Sequence, residues 1–228
     1  MKDKVTRALI RDIRWLALAK RGGLFLAGNF AVSYGLSLII VANLGVSSWA
    51  VLYQGLSKRF GVSIGQASFL VSMLLIAVTW YCGLKPTIGT LASAAGVACF
   101  LDVISKIGFL PKPGNVVQCS LCLGAGIIIN GFGLATYACS GCGFGPRDGL
   151  MIALVRKTQL RVGIVRGTVE IATVITGFFL GGNVGPGTVA YALAVGWVME
   201  AGFRTIRYLS DKTGILKGTI VLPGGVDA

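Results

Sequence analysis

Histidine is absent from the 228 residues, and 8 acidic residues stand against 21 lysines and arginines. No HExxH, GxSxG or phosphate-loop pattern occurs, so general acid–base and nucleophilic chemistry have little to work with. The chain therefore reads as a non-enzyme that needs no metal and no cofactor. It also lacks low-complexity tracts and linkers, which points to one folded unit. Its apolar runs do not alternate with polar residues, which excludes an outer-membrane barrel. No cleavable signal peptide is evident, because the apolar run from Leu24 is too long for an h-region and follows about twenty polar-rich residues.

What the chain has in quantity is apolar length. Hydrophobic residues make up 54% and charged residues 13% of it, and the mean hydropathy is +0.79. Runs of about twenty apolar residues recur, long enough to cross about 30 Å of hydrocarbon. The expected class is an all-α, polytopic membrane helix bundle. A net charge of +13 then reports cytoplasmic loops and anionic headgroups rather than nucleic acid.

Six cysteines include two CxxC pairs, Cys119–Cys122 and Cys139–Cys142. If residues 117–138 form one helix, the pairs lie about 30 Å apart and cannot share a zinc ion. Cysteines in apolar surroundings pack as small, inert residues.

Residues 1–21 form a basic amphipathic segment. Val5, Leu9, Ile13 and Leu16 fall on one helical face, and Lys4, Arg7, Arg11 and Arg14 fall opposite. This predicts an interfacial helix on anionic headgroups, anchored by Trp15. Full spans are expected at Leu24–Asn43, Val62–Cys82, Thr87–Ile104, Val117–Ser140, Val162–Leu180 and Thr188–Phe203. Two short helices, Ser47–Ser57 and Asp148–Val155, lie between them, and a cytoplasmic tail follows over 204–228. The membrane domain spans 22–203.

Within that domain the sequence repeats with an offset of 98 residues, roughly 22–105 onto 117–203. The offset pairs Gly45 with Gly143, Lys58–Arg59 with Arg156–Lys157, Gly65 with Gly163, Gly83 with Gly181 and Asp102 with Glu200. Shared turns, basic clusters and an acidic position are the signature of a tandem duplication.

Two arrangements follow. With three full spans per repeat the halves are inverted, and Lys58, Arg59, Lys106 and Lys112 face out. With the short helix also crossing, the halves run parallel and only Lys85 and Arg147 face out. The positive-inside count favours the four-plus-four arrangement. Against it, a thirteen-residue helix covers only about 20 Å and cannot span alone.

Candidate site residues cluster in the second repeat. Arg147 and Asp148 open its short helix, where free N–H groups and the arginine would draw an anion; a plain helix cap explains Asp148 equally well. The matching positions of the first repeat are Trp49 and Ala50, with Ser47 and Ser48 beside them. Arg166 and Glu170 stand one turn apart in an otherwise apolar segment, a placement that marks function or gating. Asp102 and Glu200 rank second and are expected to pair with Lys106 and Arg204, one turn on. Ser48 and Trp49 complete the secondary set.

The stretches GPRDGLMIALVRKT, VGIVRGTVEI and GGNVGPGT, with LGVSSWAVLYQGLSKRFGVSIGQ of the first repeat, resemble the YczE/YyaS/YitT-type family of bacterial integral membrane proteins, over about residues 22–207. Where the family has Pro-Trp-Asp, this chain has Ser48-Trp49-Ala50, and no YitT-like soluble domain follows. The resemblance implies a multi-pass protein of the bacterial cytoplasmic membrane and no catalytic residues. The reading is a small-molecule transporter or exporter with both termini cytoplasmic; the alternative is a membrane scaffold or regulatory partner of a biosynthetic complex. Substrate and oligomeric state stay open.

Overall fold

The computed structural model describes residues 2–108, 110–143 and 145–213, with side chains between residues 18 and 212. Every regular element among them is a helix: α1 (Lys2–Ala42), α2 (Ser48–Phe60), α3 (Ile64–Tyr81), α4 (Ile88–Ile107), α5 (Val116–Cys139), α6 (Pro146–Thr158), α7 (Val162–Phe179) and α8 (Pro186–Thr213). Five of these are long and apolar enough to cross a membrane, within α1, α3, α4, α5 and α7. α8 is longer still but carries Glu200, Arg204, Arg207, Asp211 and Lys212 in its second half.

Local chemistry sets the ends of the short helices. Ser47 caps α2 by accepting from the Ala50 N–H at 3.4 Å, and Gly61 ends it in the left-handed region at φ 67°. Ser63 and Gln66 then form a capping box that starts α3. α6 opens on Pro146 and ends on Gln159, left-handed at φ 56°. The left-handed backbone positions recur at the offset of 98: Asn43 with Gly141, Gly45 with Gly143, Gly61 with Gln159, and Gly83 with Gly181. Two of those pairs differ in residue type, so the backbone repeats where the letters do not.

α1 and α5 form the centre of the bundle. A Cβ at Gly28 would lie 2.5 Å from the Tyr137 nitrogen, one at Gly35 would lie 2.5 Å from the Asn130 nitrogen, and one at Gly126 would lie 2.7 Å from Ile39. Glycine lets the two backbones touch, as small residues do between membrane helices. Rising numbers along α1 meet falling numbers along α5, so the two helices are antiparallel. α4 runs parallel to α1, with Ser93 donating to Asn29 at 2.8 Å and Ser33 to the Val97 carbonyl at 3.3 Å. α8 runs parallel to α5 in the same way, with Tyr191 donating to Asn130 at 2.8 Å.

This direction decides between the two arrangements. The halves are inverted, which corrects the four-plus-four preference. The α1–α2 turn meets the α7–α8 loop at one end of the bundle, through the Gly187 N–H to the Leu44 carbonyl at 2.8 Å and Asn183 to Asn43 at 2.7 Å. The α5–α6 turn meets the α3–α4 loop at the other end, where Gly143 abuts Thr87 and Gly89 abuts Cys142. α2 and α6 thus each enter from one end and return to it. The charge count erred because thirteen residues are too short to cross, and four cations at one end do not outweigh that geometry. Lys58, Arg59, Lys106 and Lys112 occupy the end where α1 stops. The end where α1 starts carries Lys20, Arg21, Lys85, Arg156, Lys157, Arg161, Arg204, Arg207 and Lys212.

Other boundaries differ from the sequence reading. α1 is continuous from residue 2 to 42, with no break where the interfacial segment was expected to end; the side chains of its first turns lie outside the described residues. α8 runs on to Thr213, and Ile206 is buried against Ala135 and Cys139 of α5. The helix therefore packs well past residue 203, where the tail was expected to begin. Cys119 and Cys122 sit near the start of α5, Cys139 at its end and Cys142 just beyond it, and all six cysteines are free.

Candidate functional site

One long side chain links the two short helices. Arg147, second residue of α6, reaches across to α2. Its guanidinium carbon lies 5.3 Å from the Trp49 ring centroid and 5.4 Å from that of Tyr53. Both rings present their electron-rich faces to the cation. Arg147 is also within electrostatic reach of Tyr191 and Asp148. Tyr53 is almost fully buried, at 1% exposure, whereas Arg147 is half-buried and Asp148 beside it is exposed.

Asp148 faces another way. Its carboxylate accepts a hydrogen bond from the Tyr137 hydroxyl of α5. No side chain caps the α6 N-terminus, because its N-cap residue is Gly145. Asp148 in the first turn therefore supplies the negative charge that the helix dipole favours there.

The Arg166–Glu170 pair forms as expected, at 3.1 Å, with side chains 51% and 32% exposed. Tyr191 joins it to the arginine: the phenol lies within electrostatic reach of Arg147, Glu170, Arg166 and Tyr53. The Tyr191 hydroxyl donates to Asn130, which donates in turn to the Val32 carbonyl at 2.9 Å. Three of the four leading candidates thus act electrostatically on one tyrosine without touching it, and the fourth, Asp148, is next to Arg147 in the chain.

The secondary candidates separate. Trp49 is part of the arginine platform, and Ser48 is buried beside it. Asp102 does not pair with Lys106, as expected from spacing. It accepts from the Ser63 hydroxyl at 2.7 Å and the Gly65 N–H at 2.9 Å, and so caps α3 from α4. The capping donors are nearer and better desolvated than a lysine one turn away on an open face. Glu200 does pair with Arg204, at 2.6 Å.

Tyr53, Tyr137, Tyr191 and Asn130 were not singled out from the sequence. The available signal was their character, since a buried tyrosine or asparagine needs a polar partner. One residue at a time, that signal does not say which partner.

Five apolar helices long enough to span, with two short helices linked by an arginine on an aromatic pair, define a multi-pass membrane protein. Residues 19–203 match a family described as Family of unknown function (DUF6198), and the chain belongs to it. It is 36% identical over 195 residues to an uncharacterized protein of Haemophilus influenzae, covering 86% of this chain and 88% of that one. It is 29% identical over 185 residues to the uncharacterized membrane protein YczE of Bacillus subtilis, covering 80% and 85%. The protein YyaS of the same organism is 27% identical over 167 residues, covering 71% and 82%. No solved structure matches.

Proposed function

We propose that the protein is a transporter or exporter of a small molecule bearing an anionic group, and that it has no catalytic activity. The observation that carries this reading is the Arg147 guanidinium set over the Trp49 and Tyr53 rings, with Tyr191 in electrostatic reach both of Arg147 and of the Arg166–Glu170 pair. Secondary transporters built from inverted halves place their sites between those halves, on the N-termini of interrupted helices. Arg147 draws the anion, Asp148 holds the helix end, and Arg166 with Glu170 gates access. Because cytoplasmic ends carry excess lysine and arginine, the end where α1 starts faces the cytoplasm of a bacterial cell membrane, and both termini lie there. The basic first turns of α1 lie against anionic headgroups.

Metabolite uptake into proteoliposomes tests the reading. Arg147→Gln should abolish transport of any anion the wild type carries, and Glu170→Gln should impair it. Unchanged transport by both would sink it. The strongly basic end favours one second reading, a membrane scaffold for a biosynthetic complex. In that case deletion of residues 2–20 abolishes function, while Asp148→Asn is tolerated.

A further inference from the structure

The two halves share one sequence plan but are packed differently. In the first half α3 closes on α4. Gly65 is pressed so tightly against α4 that a Cβ there would overlap the Ala98 carbonyl and the Asp102 carboxylate. Asp102 seals the contact by capping α3. The equivalent residues of the second half are Gly163, Gly196 and Glu200, so the small residues and the acid are all present. The contact is nevertheless unmade. α7 and α8 form no packed interface among the described residues, and a Cβ at Gly163 or at Gly196 would meet nothing within 4 Å. The α7 N-terminus, at Arg161, has no side-chain cap, and Glu200 is turned to its own helix.

The opposite flank shows the reverse. α7 is tight on α2, where a Cβ at Gly177 would lie 2.5 Å from the Leu52 nitrogen. The equivalent contact of α3 with α6 is ordinary, with Thr79 3.6 Å from a Cβ at Gly149. Thus α3 grips α4 and rests on α6, whereas α7 grips α2 and stands off α8. Tight and loose are exchanged between the halves.

We infer that this is one of two exchangeable states, and that in the other α7 docks on α8 through Gly163 and Gly196 with Glu200 capping α7, while α3 leaves α4. An inverted pair of similar units has two such arrangements, related by swapping the roles of the halves. The movement also changes the surroundings of the charged pair. Arg166 and Glu170 are equivalent to Ser68 and Ser72, which are 2% and 7% exposed in the closed half. Docking of α7 carries the ion pair from an open face to an interior one, beside Tyr191. A pair can be buried far more cheaply than a lone charge, so the exchange needs both residues. The inference concerns motion and stands whether or not the molecule transports anything.

The experiment is distance measurement between spin labels on the full chain in nanodiscs, with the six cysteines replaced. Labels at Ile164→Cys and Thr205→Cys report on α7–α8, and labels at the equivalent Gln66→Cys and Ile107→Cys report on α3–α4. The wild type should show 164–205 longer than 66–107. Asp102→Asn and Gly65→Ala, which loosen α3 from α4, should each shift 164–205 toward the short 66–107 value and lengthen 66–107. Gly163→Trp, a wedge in open space, should hold 164–205 long, and Glu170→Gln should do the same by leaving Arg166 unpaired. A 164–205 distance that stays long in both Asp102→Asn and Gly65→Ala, while 66–107 lengthens, overturns the exchange. So does a 66–107 distance that does not move in either.

Discussion

Trp49 and Arg147 occupy the same position of the two halves, 98 residues apart, and they touch each other, with the guanidinium carbon 5.3 Å from the indole centroid. A cation at one of these positions and an indole at the other make the contact chemically one-sided. A cation–π contact contributes from about 0.5 kcal/mol when exposed to about 2 kcal/mol when desolvated. Trp49→Ala should therefore lower unfolding stability in detergent by about 1 kcal/mol, and Trp49→Phe by less. A double-mutant cycle with Arg147→Gln checks it: no coupling between the two positions would mean that the contact contributes nothing.

Asp102 and Glu200 are equivalent in sequence and unequal in work. Asp102→Asn removes a charged acceptor from the Ser63 hydroxyl and the Gly65 N–H, at a cost of about 1–2 kcal/mol. Glu200→Gln disrupts only an exposed pair within one helix, and such pairs contribute little. Denaturant titration of the two variants should separate them clearly; equal losses would contradict the different roles.

Two glycines one turn-half apart on α5 give a packing test. A side chain at Gly126 would collide with Ile39 and the Gly35 carbonyl, whereas a Cβ at Gly124 meets nothing within 4 Å. Overpacking a fitted contact costs about 1–3 kcal/mol even where side chains can yield, and here the obstacle includes backbone. Gly126→Leu should yield little monodisperse protein by size exclusion, while Gly124→Leu should behave as wild type.

Lys58 and Lys85 lie at opposite ends of the bundle, since α3 runs between them. Single cysteines at the two positions, in a cysteine-free background, should label from opposite sides of a cell, with position 58 outside. Labelling of both from one side would contradict the inverted arrangement.

Much of this was legible in the chain. The eight helices follow from the apolar runs and from local signals such as Ser47, the Ser63–Gln66 capping box, Pro146 and the turn glycines. The Arg166–Glu170 and Glu200–Arg204 pairs follow from one-turn spacing. Asp102 was misread because its best donors belong to another helix, 39 and 37 residues away, and spacing within α4 cannot announce them. Arg147 stands out by its charge and Trp49 by its place at the matching turn, but nothing in the order of letters puts the cation on the ring, and Tyr53 reads as ordinary apolar filling.

Helix identity and the coincidence of residues at an offset of 98 are properties of neighbouring residues and of the order of letters, so the sequence by itself determined them, whereas the lengths of α1 and α8 were set by packing. The antiparallel crossing of α1 and α5 was not determined there, because glycines that permit close approach permit it in either direction. Nor was the closed α3–α4 contact distinguished from the open α7–α8 gap. Gly163, Gly196 and Glu200 are compatible with both, and only the packing of the whole bundle decided which contact is made.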